Sequence, residues 1–410
     1  MRITIINQFF PPDVSPTGKL AASLAAHRAS LGDDVTVIAS QGYVSETSDF
    51  EVATAGLRIR RVWTLPLAKK TAVRRHAAYM TFLIAAGNQV LRLPAQDIVI
   101  CLTTPPFIEL LGVLHKRLHP QAQLVLWCMD CYPEAAERAG VIKPRGVISR
   151  LLRRLNRRTT RRLDHVVCLD DAMSSLMQAR CSSNGSLERS ISVVPNWEPL
   201  EAFSSPPAVG FRNSDQPTRI IYSGNMGHGH CFDTVIEAAE RLRGEAVDFL
   251  FTGGGAKAVE IEQAIDQRRL ENVHLFGYVS TAELRDLQES ADCALITLRA
   301  EMAGVVSPSK LHASLAMGLP ILYVGPRGSN VDHAIGKHGC GLSLRNGDVD
   351  GFVGFVRRLR RAPAAHRALR VKARAAFETE YNDVVSLAKF DRIIDSLAFP
   401  TNGVLPRRAA

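Results

Sequence analysis

Short apolar runs recur along the chain, each followed by a polar loop and a segment of helical periodicity. The first, Ile3–Ile6, reads as a central parallel strand, because a strand covered on both faces is apolar without alternation. Asn7–Thr17 is a long loop carrying Pro11, Pro12 and Pro16. A helix over Gly18–Leu31 follows, with Leu20, Leu24 and Leu31 on one side, and then a strand over Val35–Ala39. This β-loop-α-β order opens a doubly wound domain. The loop is longer than a dinucleotide turn and lacks G-x-G-x-x-G, which argues against a nicotinamide site.

The same alternation predicts strands over Leu57–Val62, Asp97–Leu102, Gln123–Cys128, His165–Leu169 and Ile191–Val194. Helices are predicted over Val73–Leu93, Phe107–Leu118 and Gly146–Arg162. Glu201–Pro217, rich in Ser, Pro and Gly, reads as a linker. Alternation then restarts, with strands over Arg219–Ser223, Val247–Thr252, Val273–Phe276, Cys293–Thr297, Ile321–Val324 and Leu342–Leu344. Helices over Phe232–Arg243, Asp348–Ala362, His366–Tyr381 and Val384–Leu397 complete the pattern. The expectation is two α/β domains, residues 1–200 and 218–381, with the last helix, about 384–397, returning to the first. Ligands of such sheets bind at the carboxyl ends of the strands, so the cleft between two facing domains is the default site.

Composition and charge sharpen this outline. The 410 residues are 46% hydrophobic with few aromatics, as in a soluble chain of two or three domains. Met1–Phe10 follows a strand pattern rather than that of a secretory leader. The longest apolar run, Ala77–Gly87, falls short of the roughly 20 residues that span a bilayer. The eight cysteines are irregularly spaced, and Cys128-Met-Asp-Cys131 is the sole C-x-x-C, with no second pair or histidine cluster. This pattern fits free thiols in a reducing cytoplasm. No D-x-D stands in a loop where a divalent ion would be needed, and Asp33-Asp34 and Asp170-Asp171 read as caps, so no metal is expected.

The net charge of +10 is unevenly spread. Arg138–Leu163 holds ten Lys or Arg and no acid. In its helix, Arg150, Arg153, Arg154, Arg157, Arg158, Arg161 and Arg162 mostly share one broad face, beside Ile148, Leu151, Leu152, Leu155 and Leu163. One reading is a solvated face on a helix docked by its leucines. The other is a surface for an anionic membrane, favoured by the second basic cluster Lys69, Lys70, Arg74 and Arg75 next to apolar Tyr79–Ala86. Nucleic acid is a poor match, since neither a motif nor interleaved aromatics accompany the charge.

The chemistry concentrates at strand ends. Val306–Ile321 reads as loop, short helix, stop and strand, with Ser307 as N-cap, Pro308 at the first helical position and Gly318 ending the helix. Lys310, in the first turn, adds a full charge to a helix N-terminus, which suits a diphosphate. Gly224–His230 and Gly253–Gly255 let backbone approach a ligand at neighbouring strand ends. Asp130 follows the strand Gln123–Cys128, and reads either as a group that orients or deprotonates an acceptor hydroxyl or as a helix cap. Glu134 is the alternative for either job.

In order, the chain carries Phe9-Phe-Pro-Pro, a Gly18 helix start, Asp130-Cys-Tyr-Pro-Glu134 and Val194-Pro-Asn-Trp197. Tyr222-Ser-Gly-Asn-Met-Gly, Asp233-Thr-Val-Ile-Glu-Ala-Ala, Thr252-Gly-Gly-Gly, Phe276-Gly-Tyr-Val and Pro308-Ser-Lys…Leu315-Ala-Met-Gly-Leu-Pro follow. This ordered set, spanning nearly the whole chain, resembles glycosyltransferase family 4, in its bacterial surface-polysaccharide branch. The resemblance implies a GT-B fold, two facing Rossmann-like domains with a cleft between them. It also implies retaining, metal-independent transfer of a sugar from a nucleotide-sugar donor to a saccharide acceptor, with no cofactor. By that resemblance Gly277, Tyr278 and Val279 meet the base. Lys310, Asn225 and backbone N–H groups hold the diphosphate, Gly224, Gly227, Gly253, Gly254, Ser307 and Ser309 belong to the same donor site, and Gly18 closes over it. A lipid-linked acceptor would enter the first domain from the inner face of the cell membrane.

The chain departs from the family where two Glu usually stand eight apart, here Val305 and Ala313. The usual Arg of the Gly224 loop is missing too, with His228 and His230 nearby and His228 a candidate for sharing the phosphate. These losses leave open a non-catalytic partner subunit. A nucleotide-sugar 2-epimerase is a third reading, disfavoured by the basic acceptor-side surface.

Overall fold

The computed structural model describes residues 1–13, 15–41, 55–65, 72–182, 191–204 and 216–398. Lys69 and Lys70 lie outside the described residues, as does most of the expected linker. Two parallel sheets form. The first holds β1 (Arg2–Ile6), β2 (Asp34–Ser40), β3 (Leu57–Val62), β4 (Ile98–Cys101), β5 (Gln123–Cys128), β6 (His165–Cys168) and β7 (Ile191–Val193), in the order β3-β2-β1-β4-β5-β6-β7. Its helices are α1 (Pro16–Ser30), α2 (Ala72–Leu91), α3 (Glu109–Leu118), α4 (Glu134–Arg138), α5 (Val147–Thr160) and α6 (Asp171–Ser182).

The second sheet holds β8 (Thr218–Ser223), β9 (Val247–Thr252), β10 (Val273–Leu275), β11 (Cys293–Thr297), β12 (Ile321–Val324) and β13 (Gly341–Leu344), in the order β10-β9-β8-β11-β12-β13. Around it run α7 (Asp233–Arg241), α8 (Ala258–Arg268), α9 (Thr281–Glu289), α10 (Lys310–Ala316), α11 (Asn330–His338), α12 (Val349–Arg361), α13 (Pro363–Glu380) and α14 (Asp383–Ala398). The apolar runs behave as expected of central strands: Ile3, Ile5, Ile6, Val35, Val37 and Ile38 are fully buried. Sequence periodicity had no named counterpart for α6, α9 and α11, whose apolar stripes are short.

In each sheet the strand order reverses beside its first strand, between β1 and β4 and between β8 and β11. Such reversals open a crevice at the carboxyl ends of the strands. The Asn7–Thr17 loop and the Gly224–His230 loop leave from these two points.

The halves are joined by more than the linker. Helix α14 lies on the first sheet's side, where Asp391 accepts from Arg28 at 2.9 Å and Phe390 packs with Trp127 and Trp197. The core of the first sheet also continues into the second half, through Ile296, Leu311, Leu315, Tyr323 and Phe377.

Two expectations are corrected here. Helix α10 starts at Lys310, and Ser309 precedes it without a side-chain cap. Ser307 and Pro308 are therefore not its cap and first residue. The cause is tertiary: Val306 is held in an antiparallel bridge with Asp130, the Ser307 hydroxyl turns to Asp170, and the Pro308 carbonyl accepts from Asn330 at 3.3 Å.

Helix α5 is the second correction. Of the expected apolar stripe Leu163 reaches the core and Leu152 and Leu155 are half-buried, but Ile148 and Leu151 do not dock the helix; they are 61% and 64% exposed, next to Val147 at 74%. Its buried residues are Ser149, Asn156, Thr159 and Thr160. These polar groups are satisfied inside: Ser149 donates to Glu137, Asn156 donates to the Tyr132 carbonyl at 2.6 Å, and Thr160 donates to Asn156 at 3.2 Å. A buried polar face costs little when every group finds a partner.

Candidate active site

The loops after β8, β9 and β10 are knit together. Gly224 N–H donates to Thr252 O at 2.9 Å, Met226 N–H to Gly254 O at 2.7 Å, and Gly253 N–H to Gly277 O at 2.5 Å. Gly253 has φ +104°, and a Cβ there would run into the Gly224 carbonyl. Its lack of a side chain thus serves loop-on-loop packing. Gly224, with φ +114°, faces the site instead: a Cβ would lie 3.3 Å from Lys310 Cε. Tyr278 is 82% exposed, its ring beside Gly254, with half-buried Val279 next to it. Asn225 and Ser309 are exposed, and Gly227 is half-buried against Asn225.

Lys310 rises into this wall of glycines. Its Nζ donates to the Asn225 carbonyl at 3.4 Å, meets His230 Nε2 at 3.4 Å, and lies 4.8 Å from the centre of the Tyr222 ring. The Tyr222 hydroxyl donates to the same Asn225 carbonyl at 2.9 Å. All of these partners are neutral. Burial pulls the Lys310 ammonium down to about 8. A desolvated cation facing only neutral acceptors is a site prepared for an anion.

His230 is the residue that sequence reasoning passed over. It stands behind Lys310, while His228 is exposed. Eighty positions separate His230 from Lys310, so only the fold brings them together.

Across the cleft, Asp130 is not a cap, since α4 begins at Glu134 with Pro133 before it. Its N–H donates to Thr103 Oγ1 at 3.1 Å, and its backbone pairs with Val306. Burial alone pushes its carboxyl up to about 6. Burial raises the hydroxyl pKa values of Tyr79 and Tyr132, and the Asp130 charge adds to both shifts. Glu134 is not available for acceptor chemistry, because Arg153 and Arg180 hold its carboxylate.

The cleft walls touch through the stretch before Lys310. Cys131 N–H donates to Val305 O at 2.9 Å, and Arg138 donates to Glu301 O at 2.9 Å and Ala303 O at 2.7 Å. Val305 is fully buried at this junction and Ala313 is half-buried, so neither position presents a polar group to the cleft. Gly18 packs against the backbone of Phe9 and Phe10, 3.3 Å from where its Cβ would stand. Among the described residues no group of three His, Cys, Asp or Glu is placed to hold a metal ion.

The basic surface divides. Arg153, which the sequence grouped with the rest, is committed inside: it donates to Glu134 at 3.0 Å and from Nε to Glu137 at 3.1 Å. Arg150, Arg154, Arg157, Arg158 and Arg161 are exposed. No described helix is long and apolar enough to cross a membrane.

Two Rossmann-like units facing across a cleft, with the reversal points of both sheets opening into it, define the GT-B class of enzyme. Residues 17–197 match the model of the Glycosyl transferase 4-like domain, and residues 217–361 that of Glycosyl transferases group 1. The chain belongs to the group 1, family 4-like glycosyltransferases. It is 26% identical over 271 residues to the probable glycosyltransferase WbjE of Pseudomonas aeruginosa, covering 65% of this chain and 66% of that one. It is also 26% identical over 344 residues to the putative colanic acid biosynthesis glycosyl transferase WcaI of Escherichia coli K12, covering 78% and 82%. The fold matches Anabaena Alr3699/HepE in complex with UDP and glucose, with a TM-score of 0.70 at 12% identity over 97% of this chain and all of that one.

Proposed function

We propose that this glycosyltransferase moves a sugar from a nucleotide-sugar donor to a lipid-linked saccharide acceptor in bacterial cell-surface polysaccharide biosynthesis. The observation that carries the reading is Lys310, a half-buried ammonium in a glycine wall whose described partners are all neutral. Cleaving the sugar–phosphate bond leaves negative charge on a nucleoside diphosphate. A fixed cation at that position stabilises the charge as it develops, without reorganising water. Asn225 and the loop N–H groups of Gly224, Gly227, Gly253 and Gly254 complete the donor side. Tyr278 offers its exposed ring to the base and Val279 an apolar edge. Ser309 and Ser307 line the approach, and Gly18 lies on the opposite wall. Asp130, ionised above about pH 6, orients or deprotonates the acceptor hydroxyl. Transfer is retaining and needs no metal. The name of WcaI supports a surface polysaccharide as product, and UDP on HepE supports a nucleotide donor.

The acceptor reading carries a membrane with it. Helix α5 presents Val147, Ile148 and Leu151 to solvent on the same side as Arg154 and Arg158. Arginines around exposed aliphatic side chains match an anionic leaflet, with the heads at phosphates and the apolar tips below them. Each Arg held near such a surface contributes about 1 kcal/mol.

The test is turnover by the purified protein. It is given a panel of UDP-, GDP-, dTDP- and ADP-sugars with lipid-linked saccharide, and release of nucleoside diphosphate is followed together with the anomeric configuration of the product. One donor turned over with retention is expected. No transfer from any of them, in protein that melts cooperatively, refutes the reading in favour of a non-catalytic partner.

A further inference from the structure

The geometry points to His230 as a positioning residue: we propose that it acts as a permanently neutral hydrogen-bond acceptor, holding the Lys310 ammonium against the diphosphate of the donor. The proposal rests on the reading of Lys310 given above. His230 Nδ1 lies 2.7 Å from the Thr297 carbonyl and 3.2 Å from its hydroxyl. A carbonyl oxygen only accepts, so Nδ1 must carry the proton. Nε2 is then a bare lone pair, and the group 3.4 Å from it is the Lys310 ammonium, which only donates. The backbone at the end of β11 therefore fixes the tautomer, and the tautomer fixes the direction of the bond to Lys310.

The surroundings keep the ring neutral. It packs edge-on to Tyr222 at 5.8 Å and near Phe232 at 6.2 Å, and burial together with the Lys310 charge lowers its pKa to about 3. Arg299, two residues beyond Thr297, turns to the His228 carbonyl and to Glu301. Tyr222 is kept un-ionised by burial. Among the described residues no carboxylate contacts Lys310. Where the family has a second cation in this loop, this chain has a neutral support behind a single cation.

Two amides separate the functions of the ring. In His230→Asn the amide N–H can still reach Thr297, but no acceptor reaches Lys310. In His230→Gln the side-chain oxygen reaches the Nε2 position and can accept from Lys310. Inorganic pyrophosphate serves as a probe of the diphosphate site that does not depend on the base, and its Kd is measured by calorimetry from pH 6.5 to 9.5. The wild type is expected to weaken above about pH 8, as Lys310 loses its proton. His230→Asn should bind about tenfold more weakly at pH 7, with weakening that starts at lower pH. His230→Gln should recover most of the loss. Equal loss in both variants with an unmoved pH profile reduces His230 to loop packing and overturns the proposal. Unchanged binding in both also overturns it. Lys310→Ala is the control for the underlying reading: if it binds pyrophosphate as the wild type does, that reading fails, whatever His230 does. A second measurement needs no ligand. Nitrogen NMR of 15N-histidine-labelled protein, with the His230 signals assigned as those absent from His230→Gln, should show that ring protonated at Nδ1 and neutral from pH 9 to 5. A His230 ring that titrates near 6.5 or carries its proton on Nε2 refutes the assignment.

Discussion

Lys310 and Arg153 are both cations that the sequence marks as candidates, and they meet opposite surroundings. Lys310 is desolvated among a carbonyl, an imidazole nitrogen and an aromatic face. Arg153 is half-exposed, yet donates to two buried carboxylates, Glu134 and Glu137. Burial pulls the Lys310 pKa down, whereas hydrogen bonding to Glu137 raises that of Arg153. The first still lacks a counter-charge and gains by binding an anion; the second already has one. Counting positive charges along a chain cannot distinguish them, because the distinction lies in what the fold places opposite each.

The strongest way to break the contrast is Lys310→Ala. Turnover should fall on the order of 10²–10³-fold, the range for losing one strong donor to a developing oxyanion. Steady-state kinetics with the preferred donor checks it, and near-normal kcat would remove Lys310 from the chemistry. Next come the arginines of α5. Changing Arg154 and Arg158 together to Gln should weaken binding to anionic vesicles about 30-fold, at about 1 kcal/mol each. Arg153→Gln should leave vesicle binding nearly unchanged and instead cost about 1–3 kcal/mol of stability, since it strips buried carboxylates of a partner. Co-sedimentation and denaturant melts run side by side separate the two. The reverse pattern would mean that Arg153 is a surface charge after all.

The pH dependence follows from the two cleft groups. Asp130 accepts a proton only above about 6, and Lys310 carries charge only below about 8, so kcat/KM should form a bell between them, falling about tenfold per pH unit outside. Asp130→Asn should remove the acid limb and Lys310→Arg should move the alkaline limb upward. Stability runs the other way at the alkaline end. Between about 8 and 10.5 the unfolded chain keeps a proton on Lys310 that the folded protein has released, so this group makes folding more favourable as pH rises through that window. The smallest expected effect is none: excess chelator should leave turnover unchanged. Loss of activity restored by magnesium or manganese would give part of the charge to a metal.

Much of this was legible in the residues. Apolar runs without alternation located the strands, and Pro308-Ser-Lys310 singled out the lysine. What could not be read lies in contacts between distant positions. The Ser307 cap looked sound in isolation, but Asp130 and Asp170, over 130 residues earlier, draw Val306 and Ser307 out of helical geometry. Helix α5 holds enough leucine to dock by, and only Glu137, Tyr132 and Glu109 beneath it explain why Ser149, Asn156 and Thr159 go inward. His230 was visible as a residue and invisible as a partner.

The bridge between Asp130 and Val306 works like the fixed jaw of a calliper. One bridge residue is itself the proposed proton acceptor, and four residues beyond the other stands the proposed anion site. The gap between the two is thus set by a few residues of backbone and held by the Arg138 hydrogen bonds, rather than by the swing of whole domains. A sugar that spans that gap is gauged by a short ruler, and lengthening the linker would leave its reading unchanged while the bridge holds.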